Sequence, residues 1–242
     1  MFYKKFTYLN LLLLFILGCS TNEIIDPGDV ETRRVEISKS YRSIEVENTF
    51  EITLVQDSLS YALVTCGEKL QQDVSIMVKD SILFLKNNLN LHFLKGYDKV
   101  KVELHLNEIP ITNIRKPSKI QTAGVFRTPT FYLVDWNSFT DCNVNLEVDN
   151  LILSISGSNF GSYHVEGKAI SASLFCEGTA LFDLANMSID SCCVSHDGLN
   201  DVFIHVNRYL SATFTSKGNV YYSGEPICLV SGDGSGRLIK VN

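Results

Sequence analysis

Four seven-residue stretches decide the fold of this chain: LILSISG (151–157), ASLFCEG (172–178), CCVSHDG (192–198) and ATFTSKG (212–218). Each ends in a glycine, and consecutive glycines lie about 20 residues apart. Six residues before the glycine stand Leu151, Ala172, Cys192 and Ala212, and four before it stand Leu153, Leu174, Val194 and Phe214. Between these two columns of small or apolar residues lies a column that holds both apolar and polar residues. The alternation predicts a strand with one buried face that ends at a tight corner.

A second strand follows each glycine. The fourth residue after it is Gly161, Phe182, Val202 or Tyr222, and the sixth is Tyr163, Leu184, Ile204 or Gly224. A strand–corner–strand unit of about 20 residues is typical of one coil of a parallel β-helix. A run of antiparallel hairpins with coincident glycines is the alternative. A fifth, shortened coil is predicted with Cys228 and Val230 in the core columns and Gly234 at the corner, and residues 131–148 form an irregular coil upstream.

The first half of the chain also alternates with a period of two. Apolar pairs occur at Ile44 and Val46, at Ile52 and Leu54, and at Leu83 and Leu85, and the pattern continues through residues 100–106. Residues 68–74 are the one short helical segment that the pattern allows. Strand follows strand with brief turns, so we predict an all-β fold, a solenoid with coils of about 20 residues preceded by an N-terminal β region.

Composition excludes some classes of function. The chain of 242 residues carries a net charge of −6 with a pI of about 5.4, and its lysines and arginines are scattered. A nucleic-acid-binding protein needs a concentrated basic footprint, so we expect no nucleic-acid partner. Charged residues are 20% and apolar residues 45% of the chain, which is enough to build a core and argues against disorder.

The N-terminus carries an export pattern. Lys4 and Lys5 precede a short apolar run that closes in Gly18-Cys19, and this run is too short to span a membrane. A cysteine directly after a small residue resembles the lipobox of bacterial lipoproteins, and an ordinary signal peptide with a chance cysteine is the alternative. We therefore predict a signal peptide over 1–18, lipid attachment at Cys19, a tether over 19–37 and one domain over 38–242, divisible into sub-blocks 38–110 and 111–242.

Three sets of segments resemble one known family. They are YRSIEV (41–46) with FEITLVQ (50–56), VKDSIL (78–83) with residues 100–106, and LSISG (153–157) with SGDGSG (231–236). In this order they are similar to the putative auto-transporter adhesin, head GIN domain family, over residues 38–242. The resemblance implies a right-handed parallel β-helix on the bacterial cell envelope, and it supplies no catalytic residue. The corners FCEG (175–178) and SHDG (195–198) depart from the small Ser-Gly-Ala-Gly corners of the family.

Cysteine and histidine positions argue against a metal site. Cys192 and Cys193 point to opposite faces of one strand, and Cys176 and His196, on adjacent coils, are too few for structural zinc. His164 and His205 are predicted in one column, two coils apart with Ala185 between them, and His92 and His105 have no evident partner. Register also keeps Cys192 from Cys228 and Cys176 from Cys193, so we predict free thiols in the repeat block, whereas Cys66 and Cys142 cannot be placed.

Two surface features are candidates for binding. Glu177 and Asp197 are predicted as neighbours on a corner edge, with Asp183 and Asp201 beyond their turns, where oxygen-rich chemistry suits calcium or a sugar. A solvated edge is the simpler interpretation. The second candidate is a group of aromatic residues that forms either an exposed patch or the core of the irregular coil: Phe126, Phe131, Tyr132, Trp136 and Phe139.

The sequence therefore predicts a lipid-anchored protein of the cell envelope that is a non-catalytic binding, adhesin-like or structural module. Its partners are the membrane, through the anchor, and a glycan or protein ligand at the cell surface, and it needs no cofactor or metal. The alternatives are a polysaccharide-active enzyme on a β-helix scaffold and an envelope sensor or regulatory partner, because β-helices host several functions.

Overall fold

The computed structural model describes residues 27–38, 40–88, 100–136 and 139–241. Within these ranges the chain forms one 3₁₀ helix, Glu68–Asp73, and a single sixteen-stranded sheet. The strands are β1 (Val30–Glu36), β2 (Ser43–Val46), β3 (Glu51–Gln56), β4 (Tyr61–Gly67), β5 (Val74–Lys79), β6 (Ile82–Asn87), β7 (Lys101–Leu106), β8 (Ile111–Ile114), β9 (Lys119–Trp136), β10 (Asp141–Ser156), β11 (Ser162–Gly178), β12 (Leu181–Gly198), β13 (Val202–Phe214), β14 (Val220–Ser223), β15 (Ile227–Ser231) and β16 (Leu238–Lys240).

The second half is a parallel solenoid, as predicted. Strands β9 to β13 pair in parallel and in chain order. Inward-facing residues stack from coil to coil, and one such column is at most 3% exposed over five successive coils: Leu133, Leu153, Leu174, Val194 and Ala212. Because stacked strands lie about 4.8 Å apart, each of these side chains is covered on both sides by its neighbours in the column. This continuous apolar interior holds the coils together.

The predicted register holds for the first steps of the repeat and is wrong at others. Ala172 pairs with Cys192 as expected, but Ala212 pairs with Val194 and not with Cys192. Irregularities in the β12–β13 pairing, between Leu184 and Ser188 and between Ile189 and Ser191, shorten this coil. A slip of two residues keeps each side chain on its own face, so the core pattern survives the error.

In the strand after the corner, Phe182 pairs with Val202 as predicted, and the two steps on either side of this pair slip by two residues. Phe182 pairs with Tyr163 and not with Gly161, and Val202 pairs with Val220 and not with Tyr222. The shortened fifth coil is present: Cys228 pairs with Leu210 and Val230 with Ala212, and the Gly234 amide donates to the Phe214 carbonyl at 2.9 Å.

The first half is interleaved in a way that its sequence does not reveal. Strand β2 pairs with both β6 and β8, and β3 pairs with both β7 and β9. Each of these two early strands therefore lies between two strands that come later in the chain. These pairings join residues 38–110 and 111–242 in one sheet, so the two sub-blocks are parts of one stack. Alternating strands were expected at β2, β3, β6 and β7, and all four alternate as predicted.

Antiparallel strands close the N-terminal end of the stack. β4 pairs antiparallel with β7, and β1 pairs antiparallel with β4 along its whole length. The sheet therefore begins at Val30, inside the segment 19–37 that was predicted to be a tether. Strand β1 reads VETRRVE and is almost entirely exposed, which explains why no apolar alternation marked it as a strand.

The short 3₁₀ helix falls where the helical segment was predicted. In the described part of the chain, no helix is long and apolar enough to cross a bilayer.

Candidate functional site

The aromatic residues singled out in the sequence divide into two groups. Phe126 and Phe131 are at most 1% exposed and belong to the core, and Tyr132 is half-buried. Trp136 and Phe139 are exposed by 49% and 60%. The structure adds Phe160, which is exposed by 55% and was missed because the repeat analysis considered strand positions only. Its signal in the sequence is a large aromatic residue three positions beyond the corner Gly157.

Trp136, Phe139 and Phe160 form an exposed group that we name the aromatic corner. Phe139 and Phe160 lie in successive corners of the solenoid, and their rings stack with centroids 5.1 Å apart and planes 10° apart. Trp136 ends β9, three residues before Phe139, and pairs with Ser156 at the same corner. The Arg115 guanidinium lies 5.7 Å from the centre of the Trp136 ring, within the range of a cation–π contact. The corner thus presents apolar ring surface beside a charged group.

A buried polar cluster holds the aromatic corner from below. Each aromatic residue of the corner is next in sequence to a buried polar residue: Asp135, Thr140 and Asn159 are all at most 1% exposed. The Tyr163 hydroxyl donates to the Asp135 carboxylate at 2.5 Å, and the Gly161 amide donates to the Asn159 side-chain oxygen at 2.6 Å. Because these bonds are buried, they fix the corner backbone more firmly than exposed bonds would.

Tyr163 stays a hydrogen-bond donor in this cluster. Burial, together with the nearby negative charge of Asp135, raises the pKa of the Tyr163 hydroxyl well above its usual range. The hydroxyl is therefore protonated at physiological pH and can donate to the carboxylate. A Cβ on Gly161 would lie 2.6 Å from this hydroxyl, so only glycine fits above it. The corner that carries the aromatic rings is preorganised by its interior.

The cysteine–histidine motif lies elsewhere and is split between the two faces of β12. Cys192 is buried and Cys193 is exposed, as predicted from strand alternation. His196 is 2% exposed and pairs in register with the buried Cys176. Burial lowers the pKa of His196, and its Nδ1 accepts a hydrogen bond from the Gly198 amide at 3.1 Å. Among the described residues no group of three or more His, Cys, Asp or Glu side chains could hold a metal ion.

The prediction that His164 and His205 stand in one column is wrong. His164 pairs with Asp183 rather than standing in one column with Ala185 and His205, and its Nδ1 lies 3.3 Å from the Asp183 carboxylate. His205 instead aligns with Ser188 and, through Nδ1, contacts the Ser223 hydroxyl at 2.8 Å. The bulge between Leu184 and Ser188 causes the change at His205, and the register of β11 on β12 sets the partner of His164.

His105, for which the sequence showed no partner, has two. Its Nδ1 lies 3.2 Å from the Asp57 carboxylate and its Nε2 lies 3.6 Å from that of Glu103. The ring also stacks on Tyr61 with centroids 4.1 Å apart. Asp57 lies in the connection between β3 and β4, and His105 lies in β7. Their contact therefore depends on the interleaved pairing of the first half.

The acidic corner edge exists, and its carboxylates already have partners. Glu177 and Asp197 pair in register, as predicted. Glu177 accepts from the Gly157 amide at 2.6 Å, and Asp197 accepts from the Thr215 hydroxyl at 2.9 Å. Asp201 accepts from both the backbone and side-chain nitrogens of Asn219. These bonds tie successive corners together, which favours the structural interpretation over a ligand site.

The thiols behave as the register predicted. All six cysteines in the described residues are free, including Cys66 in β4 and Cys142 in β10, which the sequence could not place. Burial raises the pKa of the Cys142, Cys176 and Cys192 thiols, so these groups are protonated. Cys19, the predicted signal peptide over 1–18 and His92 lie outside the described residues.

A lengthwise stack of parallel coils, closed by antiparallel strands at one end, defines this protein as a β-helix of the solenoid class. The chain belongs to the family described as putative auto-transporter adhesin, head GIN domain, whose model matches residues 40–226. The resemblance stated from the sequence is thereby confirmed.

Solved structures share the fold. A putative adhesin from Bacteroides fragilis is similar with a TM-score of 0.77 and 18% identity, covering 88% of this chain and 97% of its own. A putative adhesin from Parabacteroides distasonis gives 0.62 and 20%, covering 88% and 98%. A putative lipid binding protein from the same species gives 0.52 and 21%, covering 89% and 98%. No curated protein matches the chain.

Proposed function

We propose that this protein is a lipid-anchored, adhesin-like module of the bacterial cell envelope that binds a surface glycan through the aromatic corner. The observation that carries the proposal is the stacked, exposed pair of Phe139 and Phe160 beside Trp136. Family membership supports the adhesin-like and non-catalytic part of the proposal. The ligand and the anchor are our inference.

The chemistry of the corner suits a sugar. Aromatic faces offer apolar surface to the C–H face of a pyranose ring, and neighbouring charged groups can bond its hydroxyls. Arg115, which reaches over Trp136, also donates to the Glu45 carboxylate at 3.0 Å, so both groups are held at the edge of the corner. Because the buried cluster around Tyr163 fixes the backbone, little conformational entropy is lost when a ligand binds.

The test is a glycan array probed with the wild-type protein and the triple variant Trp136→Ala, Phe139→Ala, Phe160→Ala. We expect at least about tenfold weaker binding of the variant, since exposed aromatic anchors carry most of the energy at such sites. Phe175→Ala is the matched control, because Phe175 is 47% exposed on β11 and its register partners are Ser154 and Ser195, not residues of the aromatic corner. Equal binding by the triple variant would contradict the proposal. A protein ligand captured by the wild type alone would keep the site and change the ligand.

Anchoring is tested separately. If Cys19 is lipidated, the protein from cells carries the added mass of a lipid and partitions with membranes, and Cys19→Ser abolishes both. A wild-type protein released without lipid would contradict the anchor and leave the proposed binding site untouched.

A polysaccharide-active enzyme is one of the two alternatives that the sequence leaves open, beside an envelope sensor or regulatory partner. Turnover of any array-positive glycan that is lost on Glu177→Gln or Asp197→Asn would establish it and overturn the non-catalytic proposal.

A further inference from the structure

A row of outward-facing side chains runs along the solenoid beside the aromatic corner. Its members occupy one register position in β10 to β14, and we name them the outer row: Asn143, His164, Asp183, Phe203 and Tyr221. In β11 to β13 the residues on either side of each member are at most 1% exposed, so the members point away from the core. Because successive coils lie about 4.8 Å apart, the two steps from His164 to Phe203 span about 10 Å.

The outer row includes a second pair of stacked aromatic rings. The Phe203 and Tyr221 rings lie with centroids 5.3 Å apart and planes 15° apart. This geometry is close to that of Phe139 and Phe160 in the aromatic corner, whose centroids are 5.1 Å apart. Phe203 is 37% exposed. An aromatic ring on the outside of a sheet offers apolar surface to a ligand.

The outer row meets the aromatic corner in the segment from Phe160 to His164. Phe160 is exposed, Ser162 and His164 are partly exposed, and the residues at positions 161 and 163 are buried. Alternate residues of an extended segment point to the same side. The segment is four residues long, so it separates Phe160 from His164 by at most about 14 Å. The aromatic corner and the outer row are therefore parts of one surface.

Hydrogen bonds hold the polar groups of this surface in place. The Ser162 hydroxyl lies 3.0 Å from His164 Nε2, and His164 Nδ1 lies 3.3 Å from the Asp183 carboxylate. The other oxygen of Asp183 accepts from the Ala185 amide at 3.2 Å. A carboxylate oxygen can accept more than one hydrogen bond, and the Asp183 side chain is 40% exposed. Asp183 can therefore accept from a ligand hydroxyl and keep its partners within the protein.

The charge of the surface selects an uncharged ligand. The strand segments that carry the outer row in β11 to β14 are residues 162–166, 181–186, 202–206 and 220–223. They contain Glu166 and Asp183 but no lysine or arginine. An acidic glycan would meet like charge here, which opposes binding. A neutral sugar brings hydroxyl groups for the polar side chains and C–H faces for the rings.

We propose that the ligand of the aromatic corner is a neutral oligosaccharide chain that continues from Phe160 over the outer row to Phe203 and Tyr221. The inference rests on the proposed function, because the corner holds the first part of the chain. The segment from Phe160 to His164 and the two coils from His164 to Phe203 together cover about 16 Å, which is longer than a single sugar. Long chains should therefore bind more tightly than monosaccharides.

Calorimetric titration at two chain lengths tests the proposal. The probes are the monosaccharides and the linear hexasaccharides of glucose, mannose, galactose and N-acetylglucosamine. We expect the wild-type protein to bind at least one hexasaccharide at least about tenfold more tightly than the matching monosaccharide, since the second ring pair adds an aromatic anchor. The double variant Phe203→Ala, Tyr221→Ala should bind that hexasaccharide no more tightly than the monosaccharide.

Tyr209→Ala is the matched control for this titration. Tyr209 lies on the same strand as Phe203 and is 51% exposed, but its register partners are Ser191 and Ile227, outside the outer row. This variant should keep the full gain with chain length. Phe203→Ala alone is the second test variant, and it should lose most of the gain. Circular dichroism verifies that all variants fold.

The outcomes separate this inference from the proposed function. A double variant that keeps the gain with chain length, or a wild-type protein without such a gain, would overturn the inference while the aromatic corner remains a binding site. Tighter binding of the acidic hexasaccharide of hyaluronan would overturn the neutral class of ligand. Binding to none of the probes would overturn the inference, and binding to no glycan on the array would overturn the proposed function as well.

Discussion

The two ends of the solenoid finish the same sheet with different chemistry. The N-terminal end finishes in antiparallel strands, and β1, which shares the outermost position with β5, is mostly charged. The C-terminal end finishes in parallel strands, and β15, which shares the outermost position with β16, carries no charge. Both ends have the same backbone groups to satisfy. The comparison teaches that the residues of the last strand, rather than the sheet itself, decide whether a stack is closed or can accept a partner.

The largest expected effect comes from one substitution made at two depths of the same column. Val194→Ala removes two buried methyl groups that neighbouring coils enclose and should cost about 2–3 kcal/mol of unfolding free energy. Val230→Ala removes the same groups where 61% of the side chain is exposed and should cost under about 1 kcal/mol. Denaturant unfolding measures both. Equal losses would show that the last coil is covered.

A smaller effect should appear in how the folding stability of the two ends depends on pH. Burial lowers the pKa of His196, so the folded chain binds this proton at lower pH than the unfolded chain does. Stability is therefore complete above the ordinary histidine pKa of about 6.5 and falls as the pH drops below it, by at most about 1.4 kcal/mol per pH unit. Thermal unfolding at pH 7.5 and 5 measures the loss.

Two histidine variants isolate the source of this pH dependence. His196→Gln should lower stability at pH 7.5 and remove much of the loss at pH 5, and His164→Gln, at a more exposed site, should leave the loss unchanged. At pH 5 hydrogen exchange should accelerate in β12 and β13 before it does in β4 and β7, because the buried His196 lies in β12, which pairs with β13. Uniform loosening would contradict this contrast.

The smallest expected effect on stability comes from making the N-terminal edge resemble the C-terminal one. Arg34→Thr with Glu36→Thr removes an exposed ion pair from β1, and surface pairs of this kind contribute little to folding. The melting temperature should change little, while static light scattering should reveal new self-association through the β1 edge, which has lost two of its four charged residues. Thr32→Val leaves the charges in place and serves as the control. Unchanged scattering by the double variant would mean that the charges are not what protects this end.

Much of the repeat block could be predicted from the sequence because its information is local. A glycine about every 20 residues, with apolar columns six and four residues before it, was sufficient to predict the parallel coils and the burial of Leu153, Leu174 and Val194. The exact register failed where bulges near Leu184 and Ile189 shorten one coil, since nothing in the alternation marks a bulge.

The candidate site was only half predictable. Trp136 and Phe139 drew attention as large aromatic residues, but their hydrophobicity favoured burial, and only the corner geometry exposes them. Phe160 was overlooked for the same reason. The cluster of Asp135, Asn159 and Tyr163 joins residues from three strands and corners, so no local pattern could have predicted it.

The interleaved first half has a consequence for the order of folding. The coils of the repeat block contact partners about 20 residues away, so they can form soon after synthesis. Strand β2, in contrast, pairs with β8, and β3 pairs with β9, which emerge from the ribosome more than 60 residues later. Loop-closure entropy makes such distant pairings slow to form. The N-terminal half is therefore synthesised first and folds last. Its apolar strands can complete their pairing only after β8 and β9 have been made.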